Sequence, residues 1–270
     1  MPELPEVEVA RQGVARYVEG NRVANVMVHG ANLRWPVSAE LVNALPGLAI
    51  VEVARRGKYL VFKTSSGGVL IHLGMTGYVR MLPEIVPPAK HDHVDFLIST
   101  GEVLRFNDPR RFGSVLWTDS DPQDHRFISG LGPEPLTEAF SGAYLYEMSR
   151  GKGVPVKQFL MGQKVVAGIG NIYANETLFH AGIKPLTEVG RLSKARCERL
   201  AKAIKMVLLD SISNGGTMLD FRDGIEKWGQ FNQALMVYDR EGKPCKACGS
   251  SIQRGYWMKR SIFFCKTCQH

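Results

Sequence analysis

The chain has 270 residues, a formal net charge of +8 and an isoelectric point near 9.3, with 44% hydrophobic and 22% charged residues. That is an ordinary globular composition, long enough for two domains and an appendage. It contains no apolar run of the roughly 18 residues that a membrane span needs, and its basic balance favours a polyanionic partner such as nucleic acid.

The chain opens Met1-Pro2-Glu3-Leu4-Pro5-Glu6. This start is acidic and lacks the basic-then-apolar pattern of a signal peptide, so the chain is expected in the cytosol. Trimming of Met1 leaves a prolyl α-amine, a group that titrates at about 7.7–8 in model peptides. It is a secondary amine, able to form a cationic iminium with a carbonyl-level carbon, and Glu3 beside it is a natural proton shuttle. The competing reading is a plain chain end.

Pro5 and Glu6 suit a first helical turn, and Val7, Ala10, Val14 and Tyr17/Val18 repeat at helical spacing up to Gly20-Asn21. Short β-branched runs follow at residues 23–28, 48–53, 59–62, 69–73, 94–98, 103–106 and 115–117, with Thr100-Gly101 as a hairpin turn. They predict an antiparallel β-sandwich.

Three glycine-containing loops accompany these strands. Arg55-Arg56-Gly57-Lys58-Tyr59 enters one of them. His72-Leu73-Gly74-Met75-Thr76-Gly77 carries Met75, either a core residue or an apolar wedge for stacked bases. Asn107-Asp108-Pro109-Arg110-Arg111-Phe112-Gly113 sets two guanidiniums and an aromatic ring on one turn.

Ser129 to Pro135, rich in Gly and Pro, marks a boundary, and the pattern beyond is helical. Gly168-Ile169-Gly170-Asn171 is a turn entering a helix, suited to a phosphate or to a plain connection. Ser193 reads as an N-cap, and Cys197, Leu200, Ala201, Ile204, Val207/Leu208 and Ser211/Ile212 form one stripe, which makes Cys197 a core residue.

Four of the five cysteines lie in the last 26 residues, as Cys245-x2-Cys248 and Cys265-x2-Cys268 separated by sixteen residues. This spacing predicts one structural Zn²⁺ held by four thiolates, with no open position for chemistry. From Asp239 onward seven Lys/Arg face two acids, so the hairpin between the cysteine pairs is basic and Arg260 lies on its returning strand. The expected domains are residues 1–130, 131–235 and 236–270.

Taken together, Pro2 to Glu8, Lys58-Tyr59-Leu60, His72 to Met75, Lys90 to Asp95, Asp108 to Gly113, Gly168 to Tyr173 and the four-cysteine tail resemble bacterial formamidopyrimidine-DNA glycosylases, in the family's order from residue 2 to Gln269. The resemblance implies an α+β multidomain fold. Its parts are an N-terminal helix with an antiparallel β-sandwich, a helix–two-turn–helix domain and a C-terminal four-cysteine zinc-finger β-hairpin. It also implies excision of 8-oxoguanine and formamidopyrimidines from double-stranded DNA by a monomeric bacterial enzyme that is also an abasic-site lyase.

Carried over by position, Pro2 is the nucleophile at the sugar C1′ and Glu3 the acid/base. Lys58 and Arg260 contact phosphate and assist strand cleavage. Asn171 holds a phosphate, while Met75, Arg110 and Phe112 fill the void left by the flipped nucleotide. His91 and Lys152 make further DNA contacts.

Two departures stand out. The segment Gly215 to Phe221 is short by one basic residue and Trp228-Gly229 replaces a common Pro-Gly, which bears on the loop that closes over the lesion. Ile262 replaces a frequent Thr. The rival readings are the sister family acting on oxidised pyrimidines, endonuclease VIII, against which Leu4 argues, and a DNA-binding zinc protein without chemistry, against which Pro2, Glu3 and Lys58 argue.

Overall fold

The computed structural model describes residues 2–30, 32–216, 219–220, 227–228 and 234–270. The chain divides into two compact units, Met1–Gly130 with Gly215–Gly229, and Leu131–Asn214 with Gln230–His270.

The first unit begins with helix α1 (Leu4–Val18). Glu3 is its N-cap, joined to Glu6 in a reciprocal capping box, with Pro5 in the first turn. Caps of this kind stabilise a helix start by about 1 kcal/mol. Strand β1 (Val23–Val28), helix α2 (Ala39–Ala44) and seven strands follow: β2 (Glu52–Arg56), β3 (Tyr59–Thr64), β4 (Gly67–His72), β5 (Tyr78–Leu82), β6 (Asp92–Ile98), β7 (Val103–Asn107) and β8 (Ser114–Thr118). They form two antiparallel four-stranded sheets, ordered β1-β6-β7-β5 and β2-β3-β4-β8.

One apolar core joins both sheets and α1, with Val7, Val14 and Val18 packed among Phe62, Ile71, Phe96, Leu104 and Val115. Strands β3 and β4 are apolar on both faces, because Val61 and Leu70 pack on Ile128 in a second cluster. Two short strands, β9 (Leu219–Asp220) and β10 (Lys227–Trp228), pair antiparallel.

Three features differ from the strand pattern expected of the sequence. The run at residues 48–53 is a strand only from Glu52. Ile50 is fully buried in a loop, where its backbone bonds to Gly20 and Asn21. β5 lies outside the expected runs: only Val79 and Met81 of it pack on the core, and Arg80 between them reaches toward the buried Asp92 at 3.5 Å. α2 is a single turn and a half, capped by the Ser38 hydroxyl.

The middle of the β1-β6-β7-β5 sheet holds a charge cluster. Arg105, 1% exposed, uses all five guanidinium donors: bidentate on Asp95 at 2.7 Å, once on Asp92 at 3.1 Å, and on the Val86 and Pro87 carbonyls. Burial pushes the Asp92 carboxyl up. The Asn107 amide, the Ala89 N–H and the two arginines outweigh that and hold it below its ordinary value.

The second unit comprises α3 (Gly142–Ser149), α4 (Val156–Met161), α5 (Asn171–His180), α6 (Lys194–Ser213) and the hairpin β11 (Gln253–Trp257) with β12 (Arg260–Phe264). Ser193 caps α6 as expected, accepting from the Arg196 N–H. The predicted stripe of α6 is buried from Cys197 to Ser211, and burial pushes the Cys197 thiol up, in keeping with a core residue. Among the described residues no helix is long and apolar enough to cross a membrane.

Replacing Arg105 with Met leaves two buried carboxylates without their main counterion and should cost about 3–5 kcal/mol in urea unfolding at neutral pH. The gap should narrow on acidification. A depressed carboxyl pKa stabilises the native fold above the ordinary carboxylate range and loses that contribution as pH falls, whereas the variant's stranded carboxylates gain from protonation.

Candidate active site and nucleic-acid interface

In the first unit, Pro2 is buried and Glu3 is 1% exposed at the N-cap of α1. Its N–H donates to the Glu6 carboxylate at 2.8 Å. Gly216 lies against the same carboxylate: a Cβ there would stand 3.1 Å from Glu6 Oε1, on a backbone with φ of +73°. One turn further on, Glu8 accepts from Arg11 at 2.8 Å and from Arg55 at 3.0 Å, tying α1 to β2. Burial raises the Glu8 carboxyl, yet these two guanidiniums and Gln12 hold it below its ordinary value.

Arg55 belongs to the hairpin whose turn carries Lys58. Gly57 has φ of +56°, and with Arg56 paired to Tyr59 it occupies the first central place of a two-residue turn, where glycine is favoured. Lys58 is half-buried and its charge reaches His72 at the end of β4. Burial first, then Lys58 and Arg34, lower the His72 pKa to about 4. His72 Nδ1 accepts from the Gly74 N–H at 3.0 Å, and its ring lies 4.9 Å from that of Tyr59. The imidazole is therefore neutral near pH 7, with Nε2–H as its donor.

Met75 sits half-buried on the turn closed by the Gly77 N–H bond to the Leu73 carbonyl at 2.9 Å. Arg110 and Phe112 are exposed, the ring at 45%, with the guanidinium carbon 5.0 Å from the ring centroid. These two loops touch at Gly74, whose φ is +66° and where a Cβ would come within 2.5 Å of the Gly113 nitrogen. His91 is half-buried at φ +74°.

One residue binds these pieces together, and the sequence alone did not single it out. Asp108 is fully buried. Its carboxylate accepts from the Thr76 hydroxyl at 2.8 Å, the Gly113 N–H at 2.7 Å and the Arg110 N–H at 3.3 Å. Its own N–H donates to the His91 carbonyl, and its carbonyl accepts from His93 Nε2 at 2.9 Å. The signal was present as an Asp opening an Asp-Pro turn, a residue type that caps its own downstream N–H groups. His72 was quoted only as part of a motif; its place at a strand end before Leu-Gly was the available clue.

In the second unit, Asn171 is the first residue of α5, after Gly168 and the N-cap Gly170. Its amide reaches the finger hairpin: Nδ2 donates to Ser261 Oγ at 3.0 Å, and Asn175, one turn on, accepts from the Phe263 N–H at 2.9 Å. Lys157, 3% exposed, donates to Asn171 Oδ1 and to the Ser261 carbonyl, both at 2.6 Å. Nothing in the sequence marked Lys157, a cation inside the apolar stretch of α4. Arg260 is exposed at the start of β12, and Lys152 is exposed after α3.

The four cysteines converge. Their sulfurs lie within 4.8 Å of one another, with Cys245 and Cys268 at 3.9 Å and Cys248 and Cys265 at 3.5 Å. Four thiolates about 2.3 Å from one tetrahedral ion would sit about 3.8 Å apart, so this cage fits a metal ion. Met1 and most of residues 217–233 lie outside the described residues, and with them Thr217, Met218 and Phe221 of the Gly215 to Phe221 departure.

The family described as Formamidopyrimidine-DNA glycosylase N-terminal domain matches residues 1–115, and its H2TH domain matches residues 131–223. A formamidopyrimidine-DNA glycosylase of Serratia proteamaculans is 51% identical over 270 residues, covering both chains completely. Among solved structures, the MutM (Fpg) protein of Thermus thermophilus superposes with a TM-score of 0.87 at 35% identity, covering 99% of this chain and 98% of that one. A Lactococcus lactis Fpg mutant in complex with Fapy-dG-containing DNA gives 0.89 at 31% identity, covering 99% of each. Matched along its whole length in sequence and in fold, the chain belongs to the formamidopyrimidine-DNA glycosylase family.

Proposed function

We propose that this chain excises 8-oxoguanine and formamidopyrimidines from double-stranded DNA through a Schiff base on Pro2 and then cleaves the abasic strand by β,δ-elimination. The observation that carries the reading is the start of α1, where Pro2 and the capped Glu3 are buried side by side.

The steps follow from the chemistry of an amine at a glycosidic carbon. The target nucleotide is turned out of the stack, with Met75, Arg110 and Phe112 entering the space it leaves. The Pro2 nitrogen bonds to C1′ as the bond from C1′ to the base breaks, and Glu3 moves the proton that the departing base and opening sugar require. The resulting iminium acidifies the C2′ proton; its loss expels the 3′ phosphate. A second proton loss, at C4′, expels the 5′ phosphate. Lys58 and Arg260 hold phosphates through these eliminations, and Asn171, His91 and Lys152 anchor the strand on either side. The four-cysteine cage takes one Zn²⁺, which when bound fixes the hairpin carrying Arg260 and leaves no open position for a reacting group. The enzyme acts as a monomer in the bacterial cytoplasm.

Borohydride reduction on abasic DNA should yield a covalent adduct with the mature protein and none with Pro2→Gly. Glu3→Gln should slow release of 8-oxoguanine by roughly 10²–10⁴-fold, the usual contribution of a positioned acid or base. A preference for thymine glycol over 8-oxoguanine opposite cytosine would overturn the substrate assignment.

Asp108→Ala should cost at least about 1–3 kcal/mol in urea unfolding, the penalty for one stranded buried donor. It should depress cleavage of 8-oxoguanine DNA more than cleavage of preformed abasic DNA, since only the former requires the void-filling loops to unseat a base. Elemental analysis of the purified protein should find one zinc per chain. Its removal under reducing conditions should free four thiols and weaken DNA binding in a gel-shift assay.

A further inference from the structure

The tip of the finger hairpin is more apolar and more constrained than a metal-stapled turn requires. Met258 and Lys259 both have positive φ, +46° and +62°, a two-residue turn normally given to Asn-Gly or Gly-Gly. Around it Tyr256, Trp257 and Met258 are 64%, 43% and 69% exposed.

Trp257 pairs directly with Arg260 across the hairpin, so the two side chains leave on the same face. That face borders a cavity of about 360 Å³, walled by Trp257, Arg260, Lys157, Met161, Leu186 and Ile262 among others. The Trp257 indole N–H donates to Gln158 Oε1 at 2.9 Å. The bond holds the ring by its edge as one wall of the cavity. No acidic side chain lines the space, while a guanidinium and a buried ammonium do. A mostly apolar recess of this size with a few convergent polar groups is built for a small molecule. An aromatic wall beside a cation fits a planar base joined to a phosphate.

We infer that this cavity is a nucleotide subsite, with the base stacked on Trp257 and the phosphate on Arg260. It rests on the reading of Arg260 as a phosphate ligand. The same chemistry is offered by a free nucleoside monophosphate and by an unpaired nucleotide of a bound strand. A free nucleotide there occupies Arg260 and so opposes strand cleavage after the base has left.

Calorimetric titration of the full-length, metal-loaded protein with dGMP, deoxyguanosine and inorganic phosphate tests the site. Saturable dGMP binding is expected, at least tenfold tighter than either fragment, weakened about tenfold by Trp257→Ala and retained in Trp257→Phe. Leu186→Trp, a change at a half-exposed wall residue, should fill the recess and block binding without relying on the hairpin.

A single-stranded oligonucleotide carrying 2-aminopurine separates the sources. Fluorescence quenched by the wild type and restored in Trp257→Ala assigns the site to a strand nucleotide. Binding of dGMP without that quenching assigns it to a free one. Phosphate binding as well as dGMP, binding unaffected by both Trp257→Ala and Leu186→Trp, or saturation by neither probe overturns the inference. Borohydride trapping by the wild-type protein in the same preparation keeps the two readings apart. An adduct without nucleotide binding sinks only the subsite, and the absence of an adduct sinks the excision chemistry itself.

Discussion

The Met75 loop and the Arg110 to Phe112 loop of the first unit depend on one buried carboxylate. Asp108 has no exposed surface and takes donors from two separate turns, Thr76 from one and Arg110 and Gly113 from the other. A buried carboxylate without such donors would be costly by several kcal/mol, so these hydrogen bonds lock the two loops to each other. Its main-chain groups extend the lock to His91 and His93. The side chains that fill the vacated space in the proposed mechanism, Met75, Arg110 and Phe112, make few of these contacts. They project from a backbone that Asp108 has already fixed, so inserting them into a duplex orders little beyond their own rotamers.

The second unit is held in a related way, by polar groups, a buried acid among them, set along one buried helix. α5 is enclosed along nearly its whole length, and three polar residues on it hold pieces of chain distant in sequence. Asn171 and Asn175 bond to β12, and Glu176 accepts the successive N–H groups of Met236, Val237 and Tyr238. Lys157 closes the arrangement by donating to Asn171 and to the Ser261 carbonyl, one residue from Arg260. Satisfied polar networks of this kind add directional specificity that an apolar interface lacks. The four-cysteine cluster lies at the far end of the hairpin, leaving the Arg260 end to these hydrogen bonds.

What the sequence disclosed followed from short-range rules. Helix α1 was legible because its cap, proline and apolar spacing are all local, and the Ser193 helix for the same reason. The cysteine cage was legible because ligand number and spacing nearly determine it. Most strands were legible because β-branched runs mark them, and β2 drifted because Ile50 is apolar for the sake of a buried loop. The polar hubs were hidden. Asp108, Arg105 and Lys157 look like surface charges in a linear string, since what distinguishes them is a set of partners up to 104 residues away. The candidate residues reached through family resemblance span the exposed Arg110, Phe112 and Arg260 and the buried Pro2 and Glu3, whereas the groups that aim them, Asp108 and Lys157, came only from the fold.

That division has a physical basis. The exposed candidates Arg110, Phe112 and Arg260 are of fixed chemical type and lie near turns, and the buried Pro2 and Glu3 sit in a local capping pattern; both kinds of mark are visible in a linear sequence. A residue that aims another needs only a buried position with matching donors, which many side chains satisfy in many folds. The hairpin tip breaks the pattern in an informative way. Trp257 is exposed like a contact residue, yet its indole N–H is tethered like an aiming one. A ring that merely covered apolar surface would gain from burial alone and would need no tether at its edge. Fixing the edge while leaving the face open is what a stacking platform requires, because the orientation is settled before a base arrives.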